Sequence, residues 1–300
     1  MSENSSFEET NVLSEEEFYQ EFTTRNQPIL GTFDQRRIKE STILVAGCGS
    51  IGGAAVEPLV RAGFTKFILA DPGVYELNNL NRQNATISDI GFNKAEVMAA
   101  RALSINPHVN IEVYADGVTA DNIVDIFDGV DLVVDGVDVT TVAGLQAKDL
   151  LHRAACLNRV PLFTGWDMSS TQCVCFYDYR SSVSTPFDGD LGSDSLGDLP
   201  LWVALARLVP LRSVPNDMIT LVCDNLDNED FHFPQLVQAA DQFGAIAVSH
   251  AIKIVLGGAV PRNVVINLLD VSMTRKERLW YKLKRGWKLL LLLRAIRRLR

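Results

Sequence analysis

Residues 42–46, Thr-Ile-Leu-Val-Ala, form an apolar run that breaks directly into Gly47-Cys48-Gly49-Ser50-Ile51-Gly52, and the small and apolar stretch that follows stops at Gly63. A buried strand feeding a glycine-rich turn and then a helix constrains this chain more than any other feature. Small residues let the backbone approach a phosphate, and the helix N-terminus offers N–H groups that no earlier turn can use. Gly47, Gly49, Ser50, Ile51 and Gly52 are the candidate phosphate cradle. The alternation then continues, with strands expected at 42–46, 66–71, 110–114, 131–135 and 161–165 and helices at 51–62, 93–105, 120–127 and 145–157. Short apolar runs separated by helices of roughly 10–15 residues require a parallel, doubly wound sheet. The expected fold class is therefore α/β, a Rossmann-like, mostly parallel sheet with helices on both faces.

Outside that core the pattern changes. Ser14-Glu-Glu-Glu17 has the capping-box form and predicts a short acidic helix over 14–23. A strand is expected at 172–179, a non-periodic Ser/Asp/Gly-rich loop at 180–198, a long helix at 234–256 and a last strand at 263–269, and 180–230 as a whole reads as irregular. The expected organisation is an acidic helical arm (1–40), a Rossmann-like nucleotide-binding core (41–170), a crossover loop with a further part of the same domain (171–273), and a basic amphipathic tail helix (274–300).

Charge and cysteine content limit the function classes. The formal net charge is −9, yet residues 274–300 hold eleven Lys/Arg and one acid, so the tail carries +10 and the remainder −19. A body this acidic is a poor surface for nucleic acid, whereas the tail suits anionic lipid, RNA or an acidic partner. The five cysteines include no Cys-x-x-Cys pair, which points to a reducing cytoplasm and to no structural zinc. Seven Glu precede the first basic residue, Arg25, unlike a signal peptide, and no run approaches the roughly 20 apolar residues of a membrane span.

The glycine loop and Asp71, which ends the second strand and can bond ribose hydroxyls, would serve an NAD site or a structural turn equally well. The continuation separates the cofactors. Leu77-Asn78-Asn79-Leu80-Asn81-Arg82-Gln83 follows the second strand, and Gly91-Phe92-Asn93-Lys94 opens the next helix, so an Arg and a Lys flank the mouth. Hydride transfer needs neither cation. An α-phosphate under attack spreads negative charge over its oxygens, and positioned cations stabilise that state.

In these segments, together with Ile105-Asn106-Pro107, Asp135-Gly136-Val137-Asp138 and Ala251-Ile-Lys-Ile-Val-Leu-Gly257, the chain resembles the ThiF/MoeB/HesA family, the ubiquitin-activating-enzyme-like adenylyltransferases, from about Arg25 to Asp270. The resemblance implies that Asp71 binds ribose, that Asn79, Arg82, Gln83 and Lys94 handle the triphosphate of ATP, and that Asp138 holds Mg²⁺. It also implies a homodimer in which an N-terminal Arg, here Arg25, reaches the neighbouring subunit's site. The expected reaction is adenylation of a carboxylate, with the C-terminus of a small ubiquitin-like or sulfur-carrier protein or peptide as acceptor. Each residue also has a plain structural role open to it: Asp71 as a turn cap, Arg82 and Lys94 as solvated cations, Asp138 as a helix N-cap.

Departures from the family keep other readings in play. Val139 and Ala143 stand where relatives place Asn and Arg, and Gly73 replaces a second acid after Asp71. No cysteine lies between Cys175 and Cys223, which argues against an enzyme-bound thioester. Cys173 and Cys175 alternate with Val174, so that one of them should face the core, and acids beside Cys223 should weaken it as a nucleophile. The four histidines read as structural or surface groups. A branch of the family dehydrates a carboxylate-bearing tRNA nucleoside, and a non-catalytic scaffold subunit is a third reading. In the tail, Leu279, Trp280, Leu283, Trp287, Leu290 and Leu291 share one helical arc. That arc is an apolar face for the protein's own body, a partner or a peripheral membrane contact.

Overall fold

The computed structural model describes residues 13–181, 183–192, 194–226, 228 and 231–298, with side chains to 295. The acidic arm's residues 1–12 and the tail's last two lie outside the described residues. The elements are α1 (Glu15–Phe22), α2 (Thr32–Glu40), β1 (Thr42–Ala46), α3 (Gly52–Ala62), β2 (Lys66–Ala70), α4 (Lys94–Ile105), β3 (Asn110–Tyr114), α5 (Ile123–Ile126), β4 (Leu132–Asp135), α6 (Val142–Asn158), β5 (Leu162–Met168), β6 (Thr171–Tyr177), α7 (Leu201–Leu208), α8 (Asn216–Asp224), α9 (Val237–Val255), β7 (Asn263–Asn267), α10 (Leu268–Ser272) and α11 (Arg275–Arg298).

The seven strands form one sheet in the order β3-β2-β1-β4-β5-β6-β7. The first five are parallel, while β5–β6 and β6–β7 are antiparallel. Alternate residues of each strand feed opposite cores. Ile43 and Val45 of β1 join Val56, Leu59, Met98 and Phe243 from α3, α4 and α9. Leu44 and Ala46 join Leu145, Leu151, Met218 and Ile219 from α6 and α8 on the other face. This is the expected doubly wound α/β fold, with both faces of the sheet covered.

The chain order reverses between β1 and β4, which opens a crevice beyond their C-terminal ends, the usual ligand position in such sheets. The capping box forms at Ser14, and Tyr19 of the helix it starts donates from its hydroxyl to the Gln35 and Gly63 carbonyls.

Several boundaries move. The fifth strand runs on through Met168 instead of stopping at 165, and the 120–127 helix shrinks to the single turn α5. The expected 263–269 strand ends at Asn267 and turns into α10. Two helices, α7 and α8, occupy the segment read as irregular. Cys173 and Cys175 share one buried face, with their Sγ atoms 4.0 Å apart, so both rather than one of them lie in the core.

Candidate functional site

The glycine loop is built by close approach. Gly47 takes φ +83°, and its N–H donates to the Ala70 carbonyl at 2.7 Å, tying β1 to β2. A Cβ at Gly52 would collide with the Gly47 carbonyl and lie 2.7 Å from Val45 Cγ1, so only glycine lets α3 begin this close to the strand. Ile51, which precedes α3, supplies no side-chain cap, and in the first turn the Gly53 N–H donates to the Gly49 carbonyl of the loop at 3.0 Å. Ser50 and Ile51 are largely buried beside it.

Asp71 leaves the end of β2 and turns back to the loop. Its carboxylate accepts from Cys48 N–H at 2.5 Å and Gly73 N–H at 2.7 Å. Burial raises this carboxyl above its usual range, against the lowering effect of those two N–H groups and of Lys94. Lys94, the first residue of α4, extends over the Tyr75 ring with Nζ 5.8 Å from its centroid, and among the described residues it makes no ion pair.

The segment between β2 and α4 carries the other polar groups. Asn79 is inward: its Oδ1 accepts from Glu76 N–H at 3.1 Å and its Nδ2 donates to Asn78 Oδ1. That side chain holds the turn whose next residues are Arg82 and Gln83. The Arg82 guanidinium donates to Gln235 Oε1 at 2.6 Å, to the Asn78 carbonyl and to Asn81 Oδ1. Gln83 lies beside Gly49, within 3.6 Å of a Cβ built there, and its Oε1 is buried with no hydrogen-bond partner. A buried acceptor left open beside the phosphate loop fits a ligand that brings a donor, such as a ribose hydroxyl or a metal-bound water.

Asp138 lies beyond β4, exposed, and accepts from Thr140 N–H at 2.9 Å and from the Thr140 hydroxyl at 3.0 Å. The N-cap of α6 is Thr141, so Asp138 shapes the approach turn and is not the cap. Arg25 is the one site candidate set apart from the others within the chain. Its neighbour Asn26 donates to the Ala62 carbonyl at the C-terminal end of α3, whereas the phosphate loop lies at the N-terminal end, about 16 Å away along the helix. Among the described residues no three His, Cys, Asp or Glu side chains gather to hold a metal.

Behind the site lies a fully buried network. Asp135, the last residue of β4, accepts from Lys148 Nζ at 2.5 Å and from His152 Nε2 at 3.0 Å. The Tyr179 hydroxyl lies 2.9 Å from His152 Nδ1 and accepts from Phe187 N–H. Burial pushes the Asp135 carboxyl up, but Lys148 and His152 outweigh it and hold it at about 2. Burial keeps His152 neutral, at about 4. The neutral imidazole then donates from Nε2 and accepts the Tyr179 proton at Nδ1, which satisfies each of these groups.

Sequence reasoning missed Asp167. It lies on the face of β5 that packs on α9, because a Cβ on Gly165, two residues earlier, would meet Phe243. Both of its oxygens are buried without a geometric partner, and burial pushes the carboxyl up to about 7 against the lowering influence of Ser50 and Arg82. A carboxylate just past an apolar run was the signal that picked out Asp71, and it recurs in Thr164-Gly-Trp-Asp-Met168. A folded-state pKa above the unfolded value of ~3.9 lets the native state bind the extra proton, so stability falls as pH rises from about 4 to about 7. Asp167→Asn should lack this slope. Relative to the parent it should gain on the order of 3 kcal/mol between pH 4 and pH 8, read from denaturant midpoints. A difference that stays flat across that range would contradict the assignment.

A model of the ThiF family matches residues 23–282. The chain is 33% identical over 139 residues to the sulfur carrier protein adenylyltransferase of Thermus thermophilus, covering 46% of this chain and 49% of that one. It is 33% identical over 132 residues to the tRNA threonylcarbamoyladenosine dehydratase of Bacillus subtilis, covering 43% and 52%. Among solved structures, the E. coli tRNA N6-threonylcarbamoyladenosine dehydratase superposes with a TM-score of 0.58 at 24% identity, over 82% of this chain and 98% of that one. The matched regions span about half the length of these two curated relatives.

Proposed function

The chain belongs to the ThiF family, and on that premise we propose that it is an ATP-dependent adenylyltransferase that activates the C-terminal carboxylate of a small carrier protein or peptide. The observation that supports this reading is the buried, unpartnered Gln83 oxygen beside the glycine loop, with Asp71 tied to Cys48 of that loop and under the charge of Lys94 and Asp138. A carboxylate is ionised at neutral pH, so its oxygen attacks the α-phosphorus without a general base, and pyrophosphate leaves with the bonding electrons. Catalysis reduces to alignment and to stabilising charge on the phosphate oxygens, the part for which Arg82 and Lys94 are suited.

Asp138 would hold a Mg²⁺ ion bound with the nucleotide, and that ion would neutralise charge on the phosphate oxygens. One exposed carboxylate, Asp138, together with phosphate oxygens and water is a common Mg²⁺ environment, and it needs no protein cage. Arg25 has a role only if a second subunit presents it to this site, which a homodimer would do. A separate nucleophile would attack the acyl carbon of the adenylate directly, forming the new acyl bond as the acyl–oxygen bond breaks and AMP leaves. Cys48, Cys173 and Cys175 are buried, and Cys156 and Cys223 are half-buried with thiol pKa values raised, by burial first and by neighbouring Asp188 and Asp224 second. Cys173 is the one thiol held below its usual value, by Cys175 first and by Ser213 and Arg262, and it is buried, so none of the five combines an accessible thiol with a lowered pKa.

The dehydratase reading rests on the B. subtilis relative, and the −19 charge of the body disfavours tRNA. Exchange of labelled pyrophosphate into ATP tests the proposal. Exchange that depends on a protein tail supports it, exchange that depends on tRNA moves the chain to the dehydratase branch, and no exchange with either overturns it.

A further inference from the structure

The tail helix α11 docks on the body with the face opposite its apolar stripe. On the docked side the Tyr281 hydroxyl accepts from Asn216 N–H at 3.1 Å, and Lys288 Nζ donates to the Asn216 carbonyl and Thr220 Oγ1, both at 2.7 Å. Arg285 donates to the Val214 and Arg212 carbonyls. Leu292 is buried in the core beneath α7 and α8, and Leu289 packs beside it. Leu279, Trp280, Leu283, Trp287, Leu290 and Leu291 point away from all of this and are 38% to 64% exposed. At 100° per residue the two faces are centred roughly 160° apart.

Docking therefore consumes the polar edge of the helix and leaves a two-tryptophan, four-leucine stripe in water. Lys276 and Arg294 sit at its ends, Lys282 and Lys284 run along its two sides, and all four are exposed. The cations that do dock donate to carbonyl and hydroxyl oxygens. Among the described residues no tail cation from Arg275 to Arg294 forms an ion pair with the acidic body.

We propose that α11 is a membrane-surface anchor whose exposed stripe lies in the headgroup region of an anionic bilayer, with the flanking Lys and Arg on lipid phosphates and carboxylates. Among the described residues no helix is long and apolar enough to cross a bilayer, and a stripe bordered by cations suits a helix lying in the interface plane. Tryptophan and leucine enter the headgroup boundary while the lysine stems reach outward past them. An anionic surface supplies counter-charge to the tail cations and repels the −19 body. A second copy meets the stripe less well, since it would bring two +10 tails together.

The test is co-sedimentation of the full chain with vesicles of phosphatidylcholine alone and of phosphatidylcholine with 30 mol% phosphatidylserine, at physiological salt. The expected result is at least tenfold stronger partitioning to the anionic vesicles, with quenching of tryptophan emission by brominated lipid. The Trp280→Glu/Trp287→Glu variant alters exposed side chains only and should keep the parent's circular dichroism while losing at least tenfold in partitioning. Lys282→Ala/Lys284→Ala should weaken binding to the anionic vesicles alone. Failure to bind anionic vesicles overturns the proposal, as does binding that the tryptophan variant leaves unchanged. A parent that self-associates through the stripe without binding vesicles also overturns it and assigns the stripe to a second copy.

Discussion

Arg82→Ala is expected to lower ATP–pyrophosphate exchange by about a hundred- to a thousandfold while changing folding stability by less than about 1 kcal/mol. The two readouts separate because of where the guanidinium sits. It is half-buried at the crevice mouth and bonded to Gln235, Asn78 and Asn81, none of which belongs to either apolar core. Removing it opens no cavity. What is lost is a cation held in place before the phosphate arrives, and fixed charge of that kind stabilises a phosphoryl transition state most. Arg82→Lys should recover only part of the rate, since an ammonium cannot keep the three donor directions that orient the side chain. Unchanged exchange in Arg82→Ala would remove this residue from the catalytic set.

Lys148→Met is expected to have the largest effect on stability, about 3–5 kcal/mol and on the order of 10 °C in melting temperature. Lys148 and Asp135 are both buried, 2.5 Å apart, and removing the ammonium leaves a carboxylate with only the neutral His152 side chain and the Val137 N–H. The pH dependence gives a second check. In the parent, Asp135 is depressed to about 2, so its contribution is present above the unfolded value of ~3.9 and is lost as pH falls through about 2. Without Lys148, burial raises the same carboxyl above its unfolded value, and the variant regains stability on acidification. The gap between variant and parent should therefore be widest at neutral pH and narrow toward pH 4. Lys148→Met/Asp135→Asn should restore most of the loss, because an amide in that position carries no charge to bury.

The sheet was legible because its central strands are buried on both faces and read as plain apolar runs. The glycine loop was legible because close backbone approach leaves no alternative to glycine at Gly47 and Gly52. The end of β5 was not, because Trp166-Asp-Met168 places a carboxylate inside a buried strand, a choice that propensity disfavours and that the site imposes. The helices α7 and α8 were hidden by proline. Pro200 and Pro215 stand immediately before Leu201 and Asn216, where a missing N–H costs little and the ring starts a helix rather than breaking one. Asp71 lies under the charge of Lys94 and Asp138, and Arg82 and Ser50 act on Asp167. Asn79 turns out to hold the loop carrying Arg82, and the distance of Arg25 from its own crevice could not be inferred without the packing of α1 on the far end of α3. For the tail, the apolar arc was readable but its direction was not. The carbonyls of Arg212, Val214 and Asn216 draw the cations inward, and the leucines and tryptophans are left facing out.

The most direct test of the central claim is exchange of labelled pyrophosphate into ATP by the full chain, supplied with Mg²⁺ and with carrier-protein tails, free peptides or tRNA as acceptors. The reading predicts exchange that requires a free C-terminal carboxylate on a protein or peptide and disappears when that carboxylate is amidated. Exchange that persists with the amidated tail, or no exchange with any carboxylate-bearing protein or peptide, would contradict it.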